Sequence, residues 1–319
     1  MKRYLILPGL LLIISTSVFA KETMKVGYLP ILDHLPLVVS HERENGSFKE
    51  VNVEPKMFKK WDVLAGAIKA GAIDAAFILS PLAMDMFNAG VDIRVVLLGH
   101  RNGSAITVAK DSDIRSAKGL KDKKIGIPHD KATHTALLDK YLRGEGLSLK
   151  DVKTTVIAPP DMVKAMAGGN IDAFIVAEPW SAKAHLDGAG KTLALTRDIL
   201  PDHVECVVIA RSGFIKEHPA AMQEWVDSLI RAGKFIESDR HKNNSKNLVP
   251  IAKKYMGQDE APVREALVNP YDRITFDNLE PDIPGFRKIV DISMQAGILD
   301  DVKLEIFIDN RFYKKSGVK

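Results

Sequence analysis

IDAAFILSP, residues 73–81, and IDAFIVAEP, residues 171–179, are two copies of one phrase set 98 residues apart. Gly71 matches Gly169, Asp74 matches Asp172 and Pro81 matches Pro179, and the run between the Asp and the Pro is apolar both times. A short apolar run bounded by turn residues reads as a buried strand. The stretch before each run reads as a helix. In WDVLAGAIKAG (61–71) the apolar positions Val63, Leu64, Ala67 and Ile68 share a face and a glycine stops the pattern; PDMVKAMAGG (160–169) does the same. One helix–strand–turn unit is thus built twice, and only the residues beyond the strand differ: SPLAMD in one copy, AEPWSA in the other.

Working outward, the same alternation continues on both sides. Strands are read at 24–30, 51–58, 74–80 and 92–100, with helices at 35–46, 61–71 and 81–88 between them. The pattern restarts with strands at 123–128, 152–159 and 172–178 and helices at 132–146 and 160–169. Alternating strands and helices predict α/β lobes, each a mostly parallel sheet with helices on both faces. A strand at 203–211 and helices at 219–238, 248–256 and 284–297 complete the chain. Two stretches join the halves, around 102–114 and 200–208. Two crossings make a hinge, with a cleft between the lobes. The expected division is lobe one at 24–105 and 208–319 and lobe two at 106–207.

Composition sets limits on function. The chain has 319 residues, 46 % of them apolar and 27 % charged, ordinary for a globular protein. Residues 1–20 are laid out as a secretory signal peptide: Lys2 and Arg3, an apolar stretch from Leu5 to Ile14, then SVFA. The stretch is shorter than the roughly 20 residues of a spanning helix, so cleavage after Ala20 and a periplasmic location are expected. Without Lys2 and Arg3 the formal charge falls from +4 to +2, and no basic run interleaved with aromatics points to nucleic acid. Cys206 is the single cysteine, so neither a disulfide nor a paired-Cys metal site is expected. His129 and His134 straddle a loop–helix junction with no third ligand spaced to join them. Neither a metal nor another cofactor is expected. Nucleophile-elbow, phosphate-loop, dinucleotide and zinc-protease motifs are absent, which argues against an enzyme.

Ligands of open α/β sheets sit beyond the carboxyl ends of the strands, so the candidates lie in the loops there. Asp33 is either an N-cap or a ligand contact, and His34 reads as packing. Thr133 and Lys131 lie beside the start of a helix, where backbone N–H groups favour anions. Glu178 and Trp180 set a carboxylate and an indole at a buried strand end. Trp61 opens a helix and reads first as core. His203 and Glu205 either face the ligand or pin the hinge, and Cys206 reads as inert.

VGYLPILDHLPLVVS, KKWDVLAGAIKAGAIDAAFILSPLA, APPDMVKAMAGGNIDAFIVAEPWSAKA and NPYDRITFDNL, over roughly residues 24–310, resemble the nitrate/sulfonate/taurine group of periplasmic solute-binding proteins, closest to its nitrate- and bicarbonate-binding branch. The resemblance implies the two-lobed type II periplasmic-binding fold. It implies a monomer that captures a small anionic solute by hinge closure and delivers it to the permease and ATPase subunits of an ABC importer. Trp61 stands where that branch has a pocket Trp, preceded here by Lys60 in place of Ser. Lys131 replaces a polar amide, and Ala177 a glycine. Taken together, the residues and the resemblance give an expected ligand set of Leu32, Asp33, Trp61, Ser80, Lys131, Ala132, Thr133, Ala177, Glu178, Trp180, His203 and Glu205. Two other readings stay open: an enzyme of the pyrimidine-synthase or chorismate-dehydratase-like branch of the fold, and a ligand sensor partnered with a regulator.

Overall fold

Asp74 and Asp172 perform the same task in two different sheets. Asp74 accepts the Lys25 N–H on its carboxylate at 2.9 Å while its own N–H donates to the Lys25 carbonyl. Asp172 does this with Lys124, at 2.8 Å for both bonds. The repeated aspartate therefore ties the start of each copy's last strand to its first strand. The repeated glycines are equally structural: Gly71 and Gly169 end their helices at φ +70° and +71°, a conformation that favours glycine.

The structure, a computed structural model, describes residues 21–318; the signal segment read at 1–20 lies outside the described residues. The first sheet contains β1 (Glu22–Tyr28), β2 (Val51–Met57), β3 (Ala75–Leu79) and β4 (Ile93–Leu98). After the short β5 (Arg101–Asn102), the second sheet takes β6 (Ser104–Ala109), β7 (Lys124–Ile127), β8 (Lys153–Val156), β9 (Ala173–Ala177) and β10 (Gly190–Leu195). β11 (Cys206–Arg211) returns to the first sheet, and β12 (Ile274–Thr275) pairs with β5. Strand orders are β2-β1-β3-β11-β4 and β10-β6-β9-β7-β8, so the sheets match strand for strand when one is read backwards.

The two-lobed α/β fold is as expected, and the sheets are mixed. Pairing is parallel within each repeated unit and antiparallel where a crossing strand enters. β6 arrives from the first lobe and lies antiparallel to β9 and β10; β11 arrives from the second and lies antiparallel to β3 and β4. The reason is geometric. A strand entering from the cleft runs opposite to neighbours whose carboxyl ends face that cleft.

Covering helices are α1 (Leu35–Glu44), α2 (Trp61–Lys69), α3 (Ser80–Asn88), α4 (Thr133–Arg143), α5 (Met162–Ala167) and α6 (Trp180–Leu186). All five residues of β3 and of β9 are buried, as expected of strands covered on both faces. The later helices touch both sheets' layers: Pro219–Asn243 packs on α1, Glu260–Val268 on α6, and Ile283–Gln295 on α3 and α4. Helix Glu260–Val268 and strands β6 and β10 have no counterpart in the sequence reading. The strand read at 203–211 begins at Cys206, because the backbone at 203–204 pairs with the other crossing. There Asn102 N–H donates to the His203 carbonyl at 3.0 Å, and Arg101 bridges Val204.

Gly233 marks a close approach within helix Pro219–Asn243. A Cβ at that position would come within 2.4 Å of the Phe276 carbonyl oxygen. Ala normally gains about 1 kcal/mol over Gly in a helix. Here the neighbour is backbone and cannot swing aside, so Gly233→Ala is expected to destabilise the protein, by roughly 1–3 kcal/mol. Denaturant unfolding reads the sign; a stabilised variant would refute the crowding.

Candidate functional site

The carboxyl ends of both sheets face each other, and the loops beyond them are in contact. The Leu32 N–H, in the loop after β1, donates to the Glu178 carbonyl after β9 at 2.9 Å. Ser80, at the start of α3, and Thr133, at the start of α4, place their hydroxyls 3.3 Å apart. These contacts join the two repeated units across the cleft. Thr133 also donates to the Glu205 carbonyl at 3.3 Å, and the Ser80 N–H to the same oxygen at 2.9 Å.

Glu205 is the centre of a buried polar cluster. One carboxylate oxygen lies 2.8 Å from His134 Nε2 and accepts the Ser104 hydroxyl; the other lies 3.1 Å from His203 Nε2. The His203 Nδ1 sits 2.7 Å from the Leu200 carbonyl. Burial alone would push the Glu205 carboxyl upward, but the His134 and His203 rings outweigh it and hold it well below the usual carboxylate range. His203 and Glu205 therefore join the hinge to α4.

Glu178 is also fully buried. One oxygen lies 3.2 Å from an Arg273 guanidinium nitrogen, and the other accepts the Ala182 N–H at 3.0 Å. Burial pushes its carboxyl up, and Arg273 only partly offsets that. Ala177 ends β9 and pairs with Ser104 of β6, while Ala132 is the buried N-cap residue of α4. Asp33 lies on the floor of the first lobe, 3.1 Å from His100. His34, read as packing, is fully buried; its Nδ1 accepts the Leu29 N–H at 2.8 Å, and its ring meets Trp61 edge-on at 5.7 Å. Burial holds its pKa well below the ordinary value, so the ring is neutral at physiological pH.

Lys131 turns to the opposite wall and pairs with Asp85 of α3. Beside it, His129 lies 3.0 Å from Asp62. Both pairs span the cleft, and the Lys131–Asp85 pair is half-exposed. Such a pair contributes at most about 1 kcal/mol, so Lys131→Ala and Asp85→Ala should each weaken solute affinity by no more than about fivefold. If Lys131 instead grips the solute, its removal costs far more than that of Asp85. Titration of the two variants separates these outcomes.

A cavity of about 330 Å³ opens between the start of α2 and the loops after β7 and β8, lined by Lys60, Trp61, Pro128, Ile157, Pro159 and Asp161 among others. Neither α2 nor α4 is capped by a side chain. The indole N–H groups of Trp61 and Trp180 are buried without a hydrogen-bond partner among the described residues. Trp61, expected first as core, is buried in the core of the first lobe and also lines the cavity between the walls.

The sequence reading did not assign a role to Ser104, Arg273, His100 or Asp85. Arg273 lies within the quoted NPYDRITFDNL, and His100 ends a predicted strand. Both positions were visible, but their partners lie 95 and 67 residues away, at Glu178 and Asp33.

The sequence profile of the NMT1-like family matches residues 19–252. The Nostoc nitrate/nitrite binding protein NrtA is 28 % identical over 242 residues, covering 68 % of this chain and 54 % of its own length. A putative aliphatic sulfonates-binding protein of Escherichia coli is 25 % identical, covering 75 % of this chain and 76 % of its own. The chain spans about half the length of the nitrate-import relatives it matches, 40 % and 54 % of two of them. Among solved structures, the ligand-binding component of an ABC-type import system from Staphylococcus aureus, described with zinc bound, superposes with a TM-score of 0.85 at 24 % identity, over 94 % of this chain and all of that one. At that identity the likeness is one of fold.

Proposed function

Since the chain belongs to the NMT1-like family, we propose that it is an exported solute-binding receptor that closes two lobes on a small anion and serves an ABC importer. The observation that carries this reading is the cavity walled by both lobes, with Lys60 and Trp61 at the start of an uncapped α2. A helix N-terminus beside a lysine favours an anion, and the Trp61 ring supplies a flat wall. Nitrate and sulfonates, named for the relatives, carry the oxygens such a set would bind. Bonds from Leu32 to Glu178 and from Ser80 to Thr133 stabilise the closed arrangement. A solute touching both walls adds its own binding energy to that state only.

Stability of the mature chain, refolded to remove carried-over ligand, tests the reading. The panel is nitrate, bicarbonate with calcium, taurine, alkanesulfonates and aromatic carboxylates. A true ligand at one hundred times its dissociation constant adds about 2.7 kcal/mol, and Trp61→Ala should erase that gain. A panel in which no anion shifts the unfolding midpoint rejects the anion reading.

A further inference from the structure

Three side chains absent from the closure contacts meet on the floor of the first lobe. Asp33 comes from the loop after β1, His100 from beyond β4, and Cys206 is the first residue of β11. All three are fully buried. Asp33 Oδ2 lies 3.1 Å from His100 Nε2 and 3.6 Å from Cys206 Sγ, and one donor atom from each residue falls within 4.8 Å of the others. A tetrahedral ion with bonds of roughly 2.0–2.3 Å to oxygen, nitrogen and sulfur sets its ligands about 3.3–3.7 Å apart. The two shorter separations are close to such edges.

Hydrogen bonding within the cluster leaves part of it unsatisfied. Asp33 Oδ1 and His100 Nδ1 are buried without partners among the described residues. A half-satisfied buried carboxylate is costly, and nearby Glu205 is already committed to His134, Ser104 and His203. Charge points the same way. A carboxylate and a thiolate carry two negative charges, which one divalent cation would neutralise.

We propose that Asp33, His100 and Cys206 form a binding site for a divalent transition-metal ion. One carboxylate, one imidazole and one thiolate suit zinc, cobalt or nickel rather than calcium or magnesium. Three protein donors leave one tetrahedral position for water or another small donor. The reading of Cys206 as inert rested on its place in an apolar strand, and that of the chain as free of metal rested on spacing. The donors stand 67 and 106 residues apart, and only the fold joins them.

The test is a cobalt titration of the untagged mature chain, stripped with chelator under reducing conditions, with no solute present. Its outcome is therefore separate from that of the anion reading. One equivalent of cobalt should bind, with a sulfur-to-metal charge-transfer band and the intense visible bands of a tetrahedral ion, and zinc should displace it. Cys206→Ser should abolish the charge-transfer band. His100→Gln and Asp33→Asn should each weaken binding tenfold or more, with circular dichroism unchanged. If the serine variant fails to fold, zinc-edge X-ray absorption of the loaded wild-type protein counts sulfur neighbours directly. One sulfur supports the site. No stoichiometric binding, cobalt bound without the sulfur band, zero sulfur neighbours, or affinity unchanged in all three folded variants overturns it.

Discussion

Arg273→Met is expected to lower the unfolding free energy by about 3–5 kcal/mol, because it leaves the Glu178 carboxylate buried and unpaired. Neither partner can turn to water: Glu178 is fully buried and the Arg273 side chain is 8 % exposed. Their pairing is not simply additive to stability, since both charges are desolvated to make it. The cost appears when one partner is removed alone. Adding Glu178→Gln to Arg273→Met should therefore restore part of the loss, as a neutral amide can still accept the Ala182 N–H now bound at 3.0 Å. Urea unfolding of the two variants measures this. A single-mutant loss below about 1 kcal/mol, or a double mutant worse than the single, would show that the ion pair is not what holds this corner together.

Glu205→Gln should be comparably severe, at about 3–5 kcal/mol, because one carboxylate joins Ser104, His134 and His203. An amide offers one oxygen where the carboxylate offers two, so at least one buried donor loses its acceptor. The same residue predicts a pH dependence. Its folded pKa is depressed below the ordinary value of 4.5, so the unfolded state binds the proton first. The stabilisation is therefore complete above about pH 4.5 and is withdrawn as the pH falls below that value. Glu205→Gln should flatten that limb of the stability profile. An unchanged acid limb would assign the acid sensitivity to other carboxylates. Loss of the cluster also loosens the hinge, since Glu205 sits on the second crossing and its carbonyl receives both Ser80 and Thr133.

The fold was legible because its signals are local and repeated. Apolar periodicity, the glycine stops and the duplicated Ile-Asp phrase place a helix–strand–turn unit in each lobe. The backbone around Asp74 and Asp172 then closes in the same way twice. Local pattern also placed Trp61 and Thr133 at helix starts. It failed for β6, where the crossing stretch hid a central strand, and for the mixed pairing, since strand direction is set by the side of the cleft at which a chain enters. The site was legible as a set of loops and illegible as a set of bonds. Lys131 could not be read as the partner of Asp85, nor Glu178 of Arg273, nor Asp33 of His100 and Cys206. Such pairings join residues far apart in the chain, and no periodicity records them. The sequence by itself determined two similar α/β lobes and the strand ends that face each other. Only the tertiary structure decided which buried charges meet there, because burial removes the water that would otherwise satisfy each of them alone.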